Sequence, residues 1–216
     1  MRSVWLWLSA FAAFFVGAPG ALASEGDIPL PSFAEVTVGG IPANTLLGVG
    51  VGISVLGLVV GVVMFLGVQK LPVHQAMKEI SELIYATCKT YLITQIKFIG
   101  ILWVLVAAVV VAYFCVLHPL KAGPGAVVII LLYSLLGIAG SSAIAWFGMR
   151  MNNYANSASA FASLMGKPYP AYSIPLKAGM SIGMILVSLV LLIMLLTLLL
   201  VPGDIAGACF IGFAIG

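Results

Sequence analysis

Residues 178–201 read AGMSIGMILVSLVLLIMLLTLLLV, twenty-four positions without one charged side chain. A helix of about 20 apolar residues is what it takes to cross the hydrocarbon of a bilayer, so this stretch alone defines a membrane span. Three more segments pass the same test: residues 46–68, 93–117 and 125–149. Over the whole chain 63% of residues are hydrophobic and 7% charged, against the roughly one quarter charged that soluble domains carry. The sequence therefore predicts an all-α integral membrane protein, a polytopic helical bundle with four complete spans. A fifth apolar segment, residues 205–216, is only a dozen residues long and is expected to be a truncated fifth helix, because a helix ending inside hydrocarbon would leave carbonyls unsatisfied.

The spaces between the spans give the direction of the chain. Lys70, Lys78, Lys89, Arg150, Lys167 and Lys177 fall in the two connections that share one side, whereas the other side has Lys121 and the acids Glu25, Asp27, Glu35 and Asp204. Basic residues accumulate on the cytoplasmic side, so a mature N-terminus outside the cytoplasm and a multi-pass location in the inner (plasma) membrane are expected. Residues 1–23 agree: Arg2, an apolar run with Trp5, Trp7, Phe11, Phe14 and Phe15, then Ala21-Leu22-Ala23 ahead of Ser24, form a signal-peptide pattern with a cleavage site. Residues 24–45, acidic and proline-containing, read as an extracytoplasmic linker, and residues 46–216 as the membrane domain.

Within the spans, small residues point to helix contacts. Gly48 with Gly52 and Gly57 with Gly61 stand four apart in the first span, and Gly137, Gly140, Ser141, Ser142 and Ala143 form a small-residue face in the third. Met77, Ile80, Ile84, Cys88 and Tyr91 form one stripe on a helix that projects beyond the membrane before entering it, with Lys97 placed to snorkel at the entry. Polar residues after Arg150 extend the third helix outward, and Pro168, Pro170 and Pro175 are expected to lie in a loop before the fourth span.

Sites of chemistry are sparse. No acidic residue lies inside a span, where an ionisable group would mark an ion path. Metal-assisted cleavage of a phosphoanhydride needs clustered carboxylates, and only Glu79 and Glu82 stand close, three residues apart on a helix with Lys78 beside them; a solvated face accounts for them. His74 and His118 are each alone and read as structural. Cys88, Cys115 and Cys209 have no CxxC partner and read as small buried hydrophobes. Gly48, Gly50 and Gly52 lie in an apolar span with no Gly-Lys-Ser or Gly-Lys-Thr after them, so they form no phosphate loop. A charge of +3 dispersed along the chain excludes a nucleic-acid face. No catalytic, cofactor-binding or metal residue is assigned in this chain.

Function enters by resemblance. Met77-Lys78-Glu79-Ile80-Ser81, followed by Ala86, Lys89, Tyr91-Leu92 and Gln95-Ile96-Lys97, resembles the second-helix entry of membrane-bound, ion-translocating inorganic pyrophosphatases. Gly140-Ser141-Ser142, Gly148-Met149-Arg150 and Tyr154-Ala155-Asn156-Ser157-Ala158 resemble that family's third helix. Leu176 through Gly183 resembles its fourth-helix start, and Phe210 through Gly216 its fifth helix. Thr87 and Cys88 stand where the family has Gly and Ala, and the usual Arg is missing at Ser157-Ala158, departures that fit a divergent branch.

The resemblance implies an N-terminal fragment of a sixteen-helix pump fold. The intact protein would hydrolyse cytoplasmic pyrophosphate and move H⁺, with Na⁺ as the alternative ion, out of the cytoplasm as a homodimer in the lipid bilayer. It further implies Mg²⁺ bound by parts of the protein beyond this chain, with K⁺ left open, and a fragment inactive by itself. Two readings of other classes stand beside it: a non-catalytic structural membrane subunit, and a secondary transporter, for which inverted repeats are expected and none is evident.

Overall fold

The computed structural model describes residues 36–113 and 124–216. It opens on a minimal hairpin, β1 (Thr37–Val38) against β2 (Ile41–Pro42), antiparallel with Val38 opposite Ile41. The turn is Gly39-Gly40 with φ of 61° and 83°, both in the left-handed region that a two-residue hairpin of this twist needs and that glycine enters without cost. Five helices follow: α1 (Ala43–Gln69), α2 (Gln75–Ala112), α3 (Pro124–Ser163), α4 (Pro168–Leu200) and α5 (Gly203–Ile215). The first four are long and apolar enough to cross a membrane, as the sequence predicts. The expected signal peptide, most of the expected linker, His118, Lys121 and Cys115 lie outside the described residues.

Length separates the helices into two kinds. At 1.5 Å per residue the 38 residues of α2 span about 57 Å and the 40 of α3 about 60 Å, roughly twice a hydrocarbon core of about 30 Å. Both therefore project beyond the membrane at the same end, where α2 begins and α3 finishes, as the polar residues there foretell. The chain turns between α3 and α4 in four residues, Leu164 to Lys167, with Gly166 at φ 66°.

The prolines do not form a loop. Pro168 and Pro170 occupy the first turn of α4, where the backbone N–H that proline lacks would have no partner anyway, and Pro175 lies inside the helix. Pro175 removes the N–H that would bond the carbonyl of Ala171 four residues back. The hydroxyl of Ser159 on α3 donates to that carbonyl at 2.9 Å instead, so the gap in the ladder is filled from the neighbouring helix.

Contacts run in sequence register along each pair. α1 and α4 are antiparallel, with Gly50 against Leu195, Gly57 against Ser188, and Gly61 against Ile185 and the carbonyl of Ser181. Ser181 is fully buried and donates from Oγ to the carbonyl of Gly61 at 2.7 Å. Of the four glycines expected to admit a neighbour, Gly57 and Gly61 do so; nothing approaches Gly48 or Gly52 within 4 Å, because their side of the helix faces away from α4. α5 runs parallel to α3 and packs backbone to backbone through Gly212 against Ile130 and Gly137 against Phe213 and Gly216. Ile130, Ala208 and Cys209 form the buried cluster at that end.

The predicted stripe of α2 is also corrected. Ile80, Ile84 and Tyr91 are 61%, 52% and 70% exposed, while the face turned to α3 carries Met77, Ser81, Tyr85, Cys88 and Leu92. Cys88 is accordingly half-buried instead of buried, and Cys209 is fully buried as expected. The contacts of Ser81, Glu82 and Tyr85 with Asn153, Arg150 and Trp146 of α3 set that face and turn Ile80, Ile84 and Tyr91 away from it.

Candidate functional site

At the basic end, where α1 finishes, α2 begins and α3 leaves the span, polar side chains converge. α2 starts with His74 as its N-cap, the imidazole Nδ1 accepting from the backbone N–H of Ala76 at 3.3 Å, which gives this lone histidine the structural role expected of it. Glu79 accepts from Gln75 Nε2 at 3.1 Å, one turn back. Glu82, on the next turn, pairs across the interface with Arg150 of α3 at 3.2 Å. The two carboxylates are thus drawn to different partners.

Arg150 is the hub. Its guanidinium carbon stands 3.9 Å from the centroid of the Tyr85 ring and 5.1 Å from that of Tyr154, both within cation–π range. Tyr85 is fixed by the indole N–H of Trp146, which donates to its hydroxyl at 2.7 Å. Tyr154 in turn meets Phe65 of α1 at a ring distance of 6.1 Å, and Phe65 meets Phe147 at 5.0 Å. One ion pair therefore sits on an aromatic shelf shared by three helices.

Deeper in the same interface, Asn153 and Ser81 bind reciprocally: the Asn153 amide donates to the Ser81 carbonyl at 2.8 Å, and the Ser81 hydroxyl reaches the Asn153 carbonyl at 3.5 Å. Both residues are buried. A cleft of about 170 Å³ opens beside them, lined by Gln69, Lys78, Ser81, Glu82, Tyr154 and Ser157 among others. Toward the membrane centre, the Trp103 indole donates to Ser134 Oγ at 3.1 Å, satisfying the polar tip of an otherwise apolar side chain.

This arrangement suits joining helices, and it does not suit metal-assisted hydrolysis. Glu79 and Glu82 are the acids of the cluster, and Glu82 already faces a guanidinium that a Mg²⁺ would have to displace. Among the described residues no three His, Cys, Asp or Glu side chains gather at metal-binding range. Mg²⁺ therefore does not fit the donor set present, and no catalytic step is derived through it.

Sequence reasoning had Arg150 only as the exit of the third span and Glu82 as a solvated acid. Their pairing follows from the antiparallel register of α2 and α3, which brings residues whose numbers sum to a nearly constant value side by side. The aromatic shelf carried a weaker signal: Tyr85, Trp146 and Tyr154 stand at the membrane boundary, where such rings gather.

The fold and this junction define a polytopic α-helical membrane protein whose helices are joined by a polar and aromatic knot. The chain belongs to the inorganic H⁺ pyrophosphatase family, whose model matches residues 55–216. It is similar to the K(+)-insensitive pyrophosphate-energized proton pump of Chlorobaculum tepidum, 63% identical over 167 residues, which cover 77% of this chain and 22% of that relative. The chain thus spans about a fifth of the relative's length. No solved structure matches it.

Proposed function

We propose that the whole protein hydrolyses pyrophosphate and couples the reaction to movement of H⁺ out of the cytoplasm, and that residues 46–216 form part of its membrane scaffold. The observation that carries the reading is the 63% identity to a pyrophosphate-energized proton pump. That relative's name favours H⁺ over Na⁺ and speaks against a K⁺ requirement. The carboxylates for Mg²⁺ and pyrophosphate would come from parts of the protein beyond this chain, and this chain alone would be inactive. The inner membrane is the location proposed, in a homodimer, after removal of residues 1–23.

The orientation proposed sets the basic end toward the cytoplasm. Lys70, Lys78, Lys89, Arg150, Lys167 and Lys177 all lie toward the end where α1 and α3 finish and α2 and α4 begin, and an excess of basic residues is what holds a connection on the cytoplasmic side. On this reading the Glu82–Arg150 knot is a strut at the cytoplasmic face and not a reacting group.

The experiment is pyrophosphate hydrolysis by membranes carrying the full-length gene product, with Mg²⁺ and with vesicle pH recorded while K⁺ and Na⁺ are varied. Hydrolysis coupled to acidification of inverted vesicles, indifferent to both alkali cations, is the expected result. Good expression with neither hydrolysis nor transport would leave a structural bundle.

A further inference from the structure

Between α2 and α3, just membrane-ward of the knot, lies a groove of about 330 Å³ lined by Lys89, Leu92, Ile93, Ile96, Ser142, Ala143 and Trp146. Three features of it bear on what it holds. Its lining is apolar except at one end, where Lys89 stands one helical turn outside the predicted start of the span at residue 93. Its floor exists because α3 presents Ser142 and Ala143, side chains too small to reach α2. Its wall is the Trp146 ring, 54% exposed yet held in place by the 2.7 Å bond from its indole to Tyr85.

The charge at the mouth is unspent. Among the described residues Glu82 is committed to Arg150 and Glu79 to Gln75, and Lys89 is in no ion pair. An ammonium at the level of the headgroups, above a slot that descends into hydrocarbon, is complementary to a molecule with an anionic head and an apolar tail.

We propose that this groove is a binding site for an anionic glycerophospholipid, one acyl chain lying along Leu92, Ile93 and Ile96 over Ser142 and Ala143, and its phosphate held by Lys89. The lipid fills the gap left by the small residues of α3 and seals α2, whose face is otherwise loosely seated, against its neighbour. The site is independent of the pyrophosphatase reading.

The test uses the full-length protein in phosphatidylcholine vesicles, with Trp146 fluorescence isolated as the difference from Trp146→Phe. Phosphatidylglycerol brominated on its acyl chain should quench Trp146 more strongly than brominated phosphatidylcholine at equal mole fraction. Removing one headgroup-level charge with Lys89→Gln should lower that preference about fivefold. Ala143→Leu, which fills the floor, should abolish the excess quenching for both lipids. Melting temperature in detergent checks that each variant folds, and because Lys89 is exposed its arm decides should Ala143→Leu fail to fold. Equal quenching by the two lipids with no effect of Lys89→Gln would overturn the site. So would the absence of quenching by either, which would mean that another helix covers the groove.

Discussion

The α1–α4 and α2–α3 pairs are both antiparallel helix pairs of the same chain, yet they are held together by opposite means. α1 and α4 meet through glycine and serine, close enough that a Cβ on Gly57 or Gly61 would collide with the facing helix. α2 and α3 stand farther apart, leave grooves between them, and are joined by side chains that reach across: Trp103 to Ser134, Trp146 to Tyr85, Glu82 to Arg150, and Asn153 with Ser81. In lipid the tails are as apolar as leucine, so there is no hydrophobic gain from pressing two helices together. What remains is close van der Waals packing and hydrogen bonding; α1 and α4 rely mainly on close approach, with one bond from Ser181 to the Gly61 carbonyl, and α2 and α3 on side chains that reach across.

The comparison is broken most severely at Gly61. Gly61→Leu places a side chain against Ile185 and the backbone carbonyl of Ser181, which cannot move aside, and should cost about 3 kcal/mol or more in the unfolding of the full-length protein in detergent. Gly52→Ala, with open space around it, should change stability by less than about 0.5 kcal/mol. A similar loss at both positions would show that close approach of α4 does not set the glycine requirement.

On the other pair, Asn153→Leu keeps the volume and removes the amide that serves the Ser81 carbonyl. A loss of about 1–2 kcal/mol is expected, measured as a shift in the same unfolding curve. A neutral result would mean that α2 is held by its aromatic contacts alone.

The α3–α4 contact sharpens the contrast, because there a hydroxyl substitutes for a missing backbone donor. Ser159→Ala should cost about 1 kcal/mol, and the cost should fall to nearly nothing in a Pro175→Ala background, where the helix supplies its own N–H to Ala171. If the two substitutions simply add, the hydroxyl is not compensating for the proline.

The smallest effect belongs to the ion pair. The side chains of Arg150 and Glu82 are 30% and 46% exposed, so solvent screens them, and a double-mutant cycle should give a coupling below about 1 kcal/mol that weakens with added salt. Arg150→Lys should lose more than charge alone predicts, since an ammonium cannot lie flat on the Tyr85 ring.

Much of this was legible beforehand. Span number followed from apolar run length, the extension of α3 past Arg150 from the polar residues after it, and the resemblance in residues 77–97 and 140–158 pointed to the family that the comparisons show. The reading failed where local rules meet a partner. Three prolines between Pro168 and Pro175 looked like a loop because the donor that rescues Ala171 sits on another helix. The stripe from Ile80 to Tyr91 is turned outward because contacts of Ser81, Glu82 and Tyr85 with α3, which a single helix does not reveal, set the inward face of α2.

By itself, then, the sequence determined that four segments of the described residues are long and apolar enough to cross a membrane, since that depends only on whether each segment can satisfy its own backbone and solvate its own side chains in lipid. Tertiary structure alone decided which of the glycines admit a neighbour, which face of α2 turns inward, and that Glu82 spends its charge on Arg150. Those outcomes depend on the register between helices, and register is a property of two surfaces brought together, written in neither helix alone.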